Sequence, residues 1–248
     1  MPEPSSTDVL VLCAGLGKRL RPLTNTIPKA LVPVAGKPLL AYHLEAMRDV
    51  GIRRVICIVG YLEDKIREFV GDGSRFGLKA QFVSQSPPKG TGDAVAVAAS
   101  HIISDPFAVL YADVFFYPMQ SAWETLLNGD DAKIYCAKVE DTAHFGRVET
   151  RSSPQGVMLD RIIEKDGKTR PGLVNAGLLL LPKTIFQALN VQTVTERGEV
   201  ELPQAVEQIS KHGTNVFVNQ LDGWFDIGSL SALESASRFA TSAGENEG

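Results

Sequence analysis

The run Val9-Leu10-Val11-Leu12-Cys13-Ala14-Gly15-Leu16-Gly17-Lys18-Arg19-Leu20-Arg21-Pro22 passes abruptly from unbroken apolar side chains to a glycine loop crowded with cations. An apolar run without polar alternation reads as a strand buried on both faces, the kind found in parallel sheets. It empties into Gly15-x-Gly17 and then into Lys18, Arg19, Arg21 and, after Ile27-Pro28, Lys29. Glycines let the backbone approach a phosphate and aim N–H groups at it, while cationic side chains neutralise charge that the amides cannot. The segment therefore holds the parts of a triphosphate seat. A dinucleotide fingerprint would need a third glycine where Leu20 stands, and a P-loop would need a wider spacing ending in Gly-Lys-Ser/Thr; neither is present. Alone, Gly-x-Gly serves equally as a strand-to-helix turn that needs φ > 0.

Outward from this loop, apolar runs alternate with helical stretches. Residues 9–13, 55–59, 80–83 and 107–111 read as strands, and 38–50, 62–70 and 91–103 as helices, with Leu40, Leu44 and Met47 spaced along one buried face. That alternation predicts a mainly parallel sheet with right-handed crossovers, whose ligands bind beyond the carboxyl ends of the strands. The Gly15 loop, the segment 85–92 and Asp113 each follow a strand, so they are expected to open on the same side. Beyond residue 132 strands dominate, at 134–139, 148–150, 159–163, 177–181 and 216–218, with helices near 183–189 and 202–211. A closing helix is expected over 229–239, with Ser229 or Ser231 as N-cap. One domain over 1–240 and a flexible tail over 241–248 are expected, since no linker or shift in composition divides the 248 residues.

A net charge of −4 argues against a nucleic-acid or acidic-membrane binder. No apolar run reaches membrane-spanning length, and residues 1–8 lack the basic and apolar parts of a signal peptide, so a cytoplasmic protein is expected. Cys13, Cys57 and Cys136 fall inside apolar runs without Cys-x-x-Cys spacing, which reads as buried reduced thiols.

The segment from Leu12 to Pro22, continued through Ile27-Pro28-Lys29-Ala30-Leu31-Val32-Pro33-Val34 to Gly36-Lys37-Pro38, resembles the signature of sugar-1-phosphate nucleotidylyltransferases, also called nucleoside-diphosphate-sugar pyrophosphorylases. Later segments match in the expected order across nearly the whole chain. No hexapeptide repeat follows, so the compact form without a C-terminal β-helix domain is expected. The resemblance implies a Rossmann-like three-layer α/β/α domain with a mixed, mainly parallel sheet. Its nucleotide-binding half would span about 1–131 and its sugar-binding half about 132–240.

It also implies the reaction: a sugar 1-phosphate oxygen attacks the α-phosphorus of a nucleoside triphosphate, Mg2+ assists, and pyrophosphate leaves. Ala14, Gly15, Leu16, Gly17 and Lys18 would bind the nucleotide, although Lys18 stands where the family often has threonine. Arg19 would bridge triphosphate oxygens and Lys29 would meet the α-phosphate and the incoming sugar phosphate. Gln85, Gly90 and Thr91 match the base-recognition segment, in a form closer to the uridylyl- and thymidylyl-transferring branches; Thr91 is also a natural N-cap for the helix that follows. Asp113 and Asp226 match the two magnesium-binding aspartates, with Asp113 also counted among the catalytic and nucleotide-binding residues. Ala112 replaces a common glycine, and its methyl would crowd or shift the nucleotide. On the sugar side, Gly146, Glu164, Lys165 and Asn175 match positions that face the sugar and its phosphate. An NTP and a sugar 1-phosphate are the implied partners, and a homo-oligomer stays open. The other readings are a guanylyl- or cytidylyltransferase acting on heptose, mannose or phosphocholine phosphates, and a catalytically silent nucleotide- or sugar-sensing module.

Overall fold

The computed structural model describes residues 5–164, 166–191 and 198–245. Strand β1 (Val9–Leu12) is covered on both faces, which is why its sequence is apolar without alternation. Val9 and Val11 join one core cluster and Leu10 the other, because successive side chains on a strand point to opposite faces.

Short 3-10 turns lead from β1 to a small hairpin, β2 (Pro33–Val34) and β3 (Lys37–Pro38), and to helix α1 (Leu39–Asp49). Then come β4 (Arg54–Val59), α2 (Glu63–Val70), β5 (Lys79–Ser84), α3 (Thr91–Ala96), β6 (Phe107–Tyr111), β7 (Val114–Tyr117) and α4 (Met119–Leu127). The second half holds β8 (Ala132–Val139), β9 (Gly146–Ser153), β10 (Gly156–Glu164), β11 (Gly172–Leu181), α5 (Ile185–Asn190), α6 (Leu202–Lys211), β12 (Val216–Leu221), β13 (Gly223–Asp226) and α7 (Leu230–Glu245).

The nine-stranded sheet runs β5-β4-β1-β6-β11-β8-β12-β10-β9. Neighbours among β5, β4, β1 and β6 are parallel, as are β8 and β12, whereas β11 and β10 oppose the strands beside them. The sheet is thus mixed and mainly parallel, with helices on both faces, as the resemblance implied. One face packs on α1, α2, α4 and α7 and the other on α3, α5 and α6. Leu40, Leu44 and Met47 are fully buried on α1, each contributing roughly 1.5–3 kcal/mol by removal from water. No described helix is long and apolar enough to cross a membrane.

Four sequence expectations shift. The helix expected over 91–103 ends at Ala96; buried Ala98 and Ile102 are delivered by the 3-10 turn Ala99–His101 and the chain around it. Thr91 is not the N-cap of its own helix, which Gly90 precedes; its hydroxyl accepts the Leu202 N–H at 3.1 Å, at the start of α6. β11 starts five residues before the expected Gly177, at Gly172, which places Asn175 inside the strand at a break in register with β8. Helix α7, expected to close at residue 239, continues to Glu245, and residues 246–248 of the expected tail lie outside the described residues. Ser229 is the cap of α7, accepting the Ala232 N–H at 3.2 Å.

Candidate active site

The carboxyl ends of β1 and β6 open onto one cleft of about 560 Å³. Ala14, Gly15, Leu16 and Lys18 form one wall, Gln85, Gly90 and Thr91 a second, and Tyr111, Ala112 and Asp113 the floor between them. The two loop glycines have different reasons to be glycine. Gly17 sits at φ +59°, where a Cβ would stand 2.9 Å from Thr24 Cγ2. Its carbonyl accepts the Thr24 hydroxyl at 2.7 Å, so it makes the turn and does not line the cleft. At Gly15 a Cβ would meet no atom within 4 Å, so the missing side chain leaves open space beside the backbone in the cleft wall.

Four charges separated widely in sequence meet at the mouth of this cleft. Lys29 Nζ lies 2.6 Å from Asp113 Oδ2 and 3.3 Å from Asp226 Oδ1, and Arg19 Nη2 lies 3.2 Å from Asp226 Oδ2. The Lys29 side chain is only 11% exposed, whereas that of Arg19 is 66% exposed. Burial works against the charge on Lys29, but the carboxylates of Asp113 and Asp226 outweigh it and raise its pKa above the ordinary value. Burial likewise opposes ionisation of Asp113, and the Lys29 ammonium overrides it, holding that carboxyl below its usual range. The ribbon of β7 and β13 sets this geometry: Asp226 lies opposite Val114, and the Ile227 N–H donates to the Asp113 carbonyl at 2.9 Å. Gly228 completes it, since a Cβ there would stand 2.5 Å from Arg19 Nη2 and 2.7 Å from Asp226 Oδ2.

Gln85 is buried, and its amide nitrogen donates to the Gly90 carbonyl at 3.0 Å and to Asp93 Oδ2 at 2.7 Å. Both amide protons are thereby used, so the carbonyl oxygen is the group this side chain offers a ligand. Ala112 is buried and packs in the core cluster beneath the cleft floor.

The sugar-side residues approach from the other half. Glu164 lies opposite Gly146 across β10 and β9, close enough that a Cβ on Gly146 would stand 2.5 Å from Glu164 Oε1. Asn175 Oδ1 accepts the Gly177 N–H at 3.0 Å within the bulge of β11. Tyr111 joins the two halves: burial raises its phenol well above the ordinary pKa, the Thr91 hydroxyl and Asn175 amide oppose that, and the Glu164 and Glu201 carboxylates add to it. Gly146, Glu164 and Asn175 are not in the wall of the main cleft, and Lys165 lies outside the described residues. Arg19 and Asp226 instead border a neighbouring cavity of about 460 Å³ with Phe145, Trp224 and Phe225.

Sequence reasoning missed Glu199 and Glu201, which line the main cleft from the segment before α6. That segment is tied to the loop over residues 85–92 by Val200 N–H to Lys89 C=O at 2.7 Å and Gly92 N–H to Val200 C=O at 2.8 Å. The paired glycines Gly90 and Gly92 were the available signal, because both pack directly on Val200. The three cysteines are buried and free; the Cys57 side chain and burial raise the Cys13 thiol, and burial raises that of Cys136.

The profile of the nucleotidyl transferase family matches residues 8–243. A glucose-1-phosphate thymidylyltransferase of Streptomyces griseus is 36% identical over 232 residues, covering 92% of this chain and 64% of that protein. The bifunctional protein GlmU of Methanococcus maripaludis is 32% identical over 221 residues, covering 89% of this chain and 51% of that protein. The chain thus spans about half to two thirds of the length of these curated relatives. A UDP-glucose pyrophosphorylase crystallised with UDP-glucose shares the fold, with a TM-score of 0.80 at 22% identity over 96% of this chain and 99% of that one. The order of the motifs, a mainly parallel sheet opening on a cationic glycine loop, and a family profile that spans nearly the whole sequence converge: the chain belongs to the nucleotidyl transferase family.

Proposed function

We propose that this protein transfers a nucleotidyl group from an NTP, with UTP or dTTP favoured, to a sugar 1-phosphate, forming an NDP-sugar and pyrophosphate. The observation that carries the reading is the convergence of Lys29, Arg19, Asp113 and Asp226 beside a cleft whose far wall is the Gln85–Thr91 segment. The triphosphate lies along Ala14 to Lys18, and the base meets Gln85 Oε1 and the backbone at Gly90 and Thr91. An acceptor carbonyl at Gln85 suits the N–H edge of uracil or thymine. The sugar phosphate enters from the side of Gly146, Glu164, Lys165 and Asn175, and Glu199 and Glu201 offer carboxylates to hydroxyl groups of the bound substrates.

The residues fit a divalent cation. Asp113 and Asp226 already share one cationic group, the Lys29 ammonium, which stands where a hard cation would sit between their oxygens. Among the described residues no third His, Cys, Asp or Glu joins them in a metal-binding group, so phosphate oxygens and water would complete the shell. Bound there, Mg2+ neutralises charge on the reacting phosphates. Lys29 orients the two phosphates for in-line attack, and Arg19, whose Nη2 lies 3.2 Å from Asp226 Oδ2, balances charge that builds on the departing pyrophosphate. No covalent enzyme intermediate is needed.

The test is pyrophosphate release with Mg2+, crossing UTP, dTTP, CTP, GTP and ATP with the 1-phosphates of glucose, N-acetylglucosamine, mannose and N-acetylmuramate, plus phosphocholine. Release that depends on one pyrimidine nucleotide and one sugar 1-phosphate is expected. Nucleotide binding without release across the whole panel would overturn the reading.

A further inference from the structure

Behind the carboxylate pair, and outside the cleft, sits a histidine that the reaction as described does not use. His43 on α1 is fully buried, and its Nε2 lies 2.7 Å from the Val114 carbonyl oxygen. The β7–β13 ribbon has only two strands, so each strand has an outer edge whose carbonyls its partner cannot reach. Val114 directly follows Asp113 and lies opposite Asp226, so its outward carbonyl is carried by the residue that adjoins one carboxylate in sequence and the other across the ladder. His43 is the donor that satisfies it. Burial lowers the imidazole pKa to about 4, which keeps the ring neutral with Nε2 protonated toward the carbonyl. The other nitrogen, Nδ1, has no hydrogen-bond partner among the described residues, and the ring packs against Phe116 with centroids 5.4 Å apart, so the bond to Val114 is the polar contact this side chain makes there.

We infer that His43 is a positioning residue: through the Val114 carbonyl it sets the separation of Asp113 and Asp226 and thereby the affinity of that pair for a divalent cation. The inference rests on the reading of the two aspartates as the cation site. The ribbon also packs Phe115 on Tyr42 of α1 and Phe225 on Phe239, and Trp224 Nε1 donates to the Ala176 carbonyl at 3.0 Å, but the His43 bond is made at the residue that lies beside both carboxylates. Ile227 N–H to Asp113 C=O at 2.9 Å ties the two strands to each other, but His43 ties the pair to α1. Without that donor a buried carbonyl is left unpaired, and the strand relieves the cost by turning its edge elsewhere, taking Asp113 with it. Sub-ångström displacement matters little to a flexible ammonium partner and much to a cation that needs two oxygens at fixed reach.

Mn2+ binding by titration calorimetry and electron paramagnetic resonance, on the full chain without nucleotide, tests it through two polar isosteres. Glutamine carries its amide nitrogen near the place of Nε2, and asparagine near that of Nδ1. His43→Gln is expected to bind Mn2+ within about twofold of the native protein, and His43→Asn about 10-fold or more weakly, the range typical of lost outer partners of a metal ligand. A residue that served only packing or core polarity would leave the two variants alike. Equal Mn2+ affinities in His43→Asn and the native protein would overturn the inference while leaving the cation site intact. No Mn2+ binding by the native protein, alone or with the nucleotide whose phosphates would complete the shell, and Asp113→Asn equally silent, would overturn the cation site and the inference with it. If His43→Asn does not fold, His43→Leu repeats the comparison with the same expectation.

Discussion

The Lys29 ammonium stands 2.6 Å from Asp113 and 3.3 Å from Asp226, so one buried cation already bridges the two carboxylates proposed to hold the metal. A divalent ion held by Asp113 and Asp226 would displace the ammonium and free Lys29 for phosphate. Lys29→Met is therefore expected to move two observables in opposite directions. Turnover falls by about 100-fold or more, as for other lost transition-state donors. Mn2+ affinity without nucleotide rises, because the competing charge is gone; unchanged or weaker binding would refute the bridging role.

Asp113→Asn and Asp226→Asn each remove one charge from this pair while keeping its shape. Each is expected to cut turnover by at least about 100-fold and to leave the far-UV circular dichroism spectrum unchanged. Native-like Mg2+-dependent rates in both would eliminate the assignment.

Gly228 offers only its backbone, donating its N–H to the Asp226 carbonyl at 2.7 Å, and a Cβ there would stand 2.5 Å from Arg19 Nη2. Gly228→Ala is expected to push the guanidinium off Asp226 and to approach the loss seen in Arg19→Ala, roughly 10²- to 10³-fold in turnover. Steady-state kinetics of the two single variants and the double variant decide this, with effects well short of additive.

Gln85 spends both amide protons inside the protein, on Gly90 and Asp93. Gln85→Leu takes this donor from the half-buried Asp93 carboxylate, while the Gly90 carbonyl keeps the Ala94 N–H, and it removes the acceptor proposed for the base. The expected result is a raised KM for the nucleotide, with kcat changed far less, together with weaker discrimination among UTP, CTP and GTP.

The buried imidazole makes the acid limb of stability predictable. A free histidine takes up its proton near pH 6.5, whereas His43 does so only near pH 4. Between these values the unfolded chain binds the extra proton, so stability falls as pH drops, by roughly 1.4 kcal/mol per unit. His43→Gln, which does not titrate, is expected to show a flatter decline in melting temperature between pH 6.5 and pH 4.

Much of this protein is legible in its residues because the responsible forces are local. The unbroken apolar run at 9–13 could only be a strand covered on both faces, and Val9, Leu10 and Val11 divide between the two cores accordingly. The loop that follows declares its chemistry by composition, since glycines and cations at that density serve anions. Helix periodicity located α1 and α6 to within a residue or two. Where a position had two local uses, sequence could not choose: Thr91 suited its own helix as a cap, but the Leu202 N–H took its hydroxyl.

The tertiary structure decided which charges meet. Arg19 and Asp226 are 207 residues apart, Lys29 and Asp226 197, and Lys29 and Asp113 84. Their meeting depends on the ribbon pairing Val114–Tyr117 with Gly223–Asp226, a ladder no local pattern announces because strand pairing is written in backbone hydrogen bonds common to every residue. Glu199, Glu201 and His43 gained their places in the same way, from what folded beside them. Residue type and spacing determined the available chemistry, and long-range backbone pairing determined the distances at which it operates.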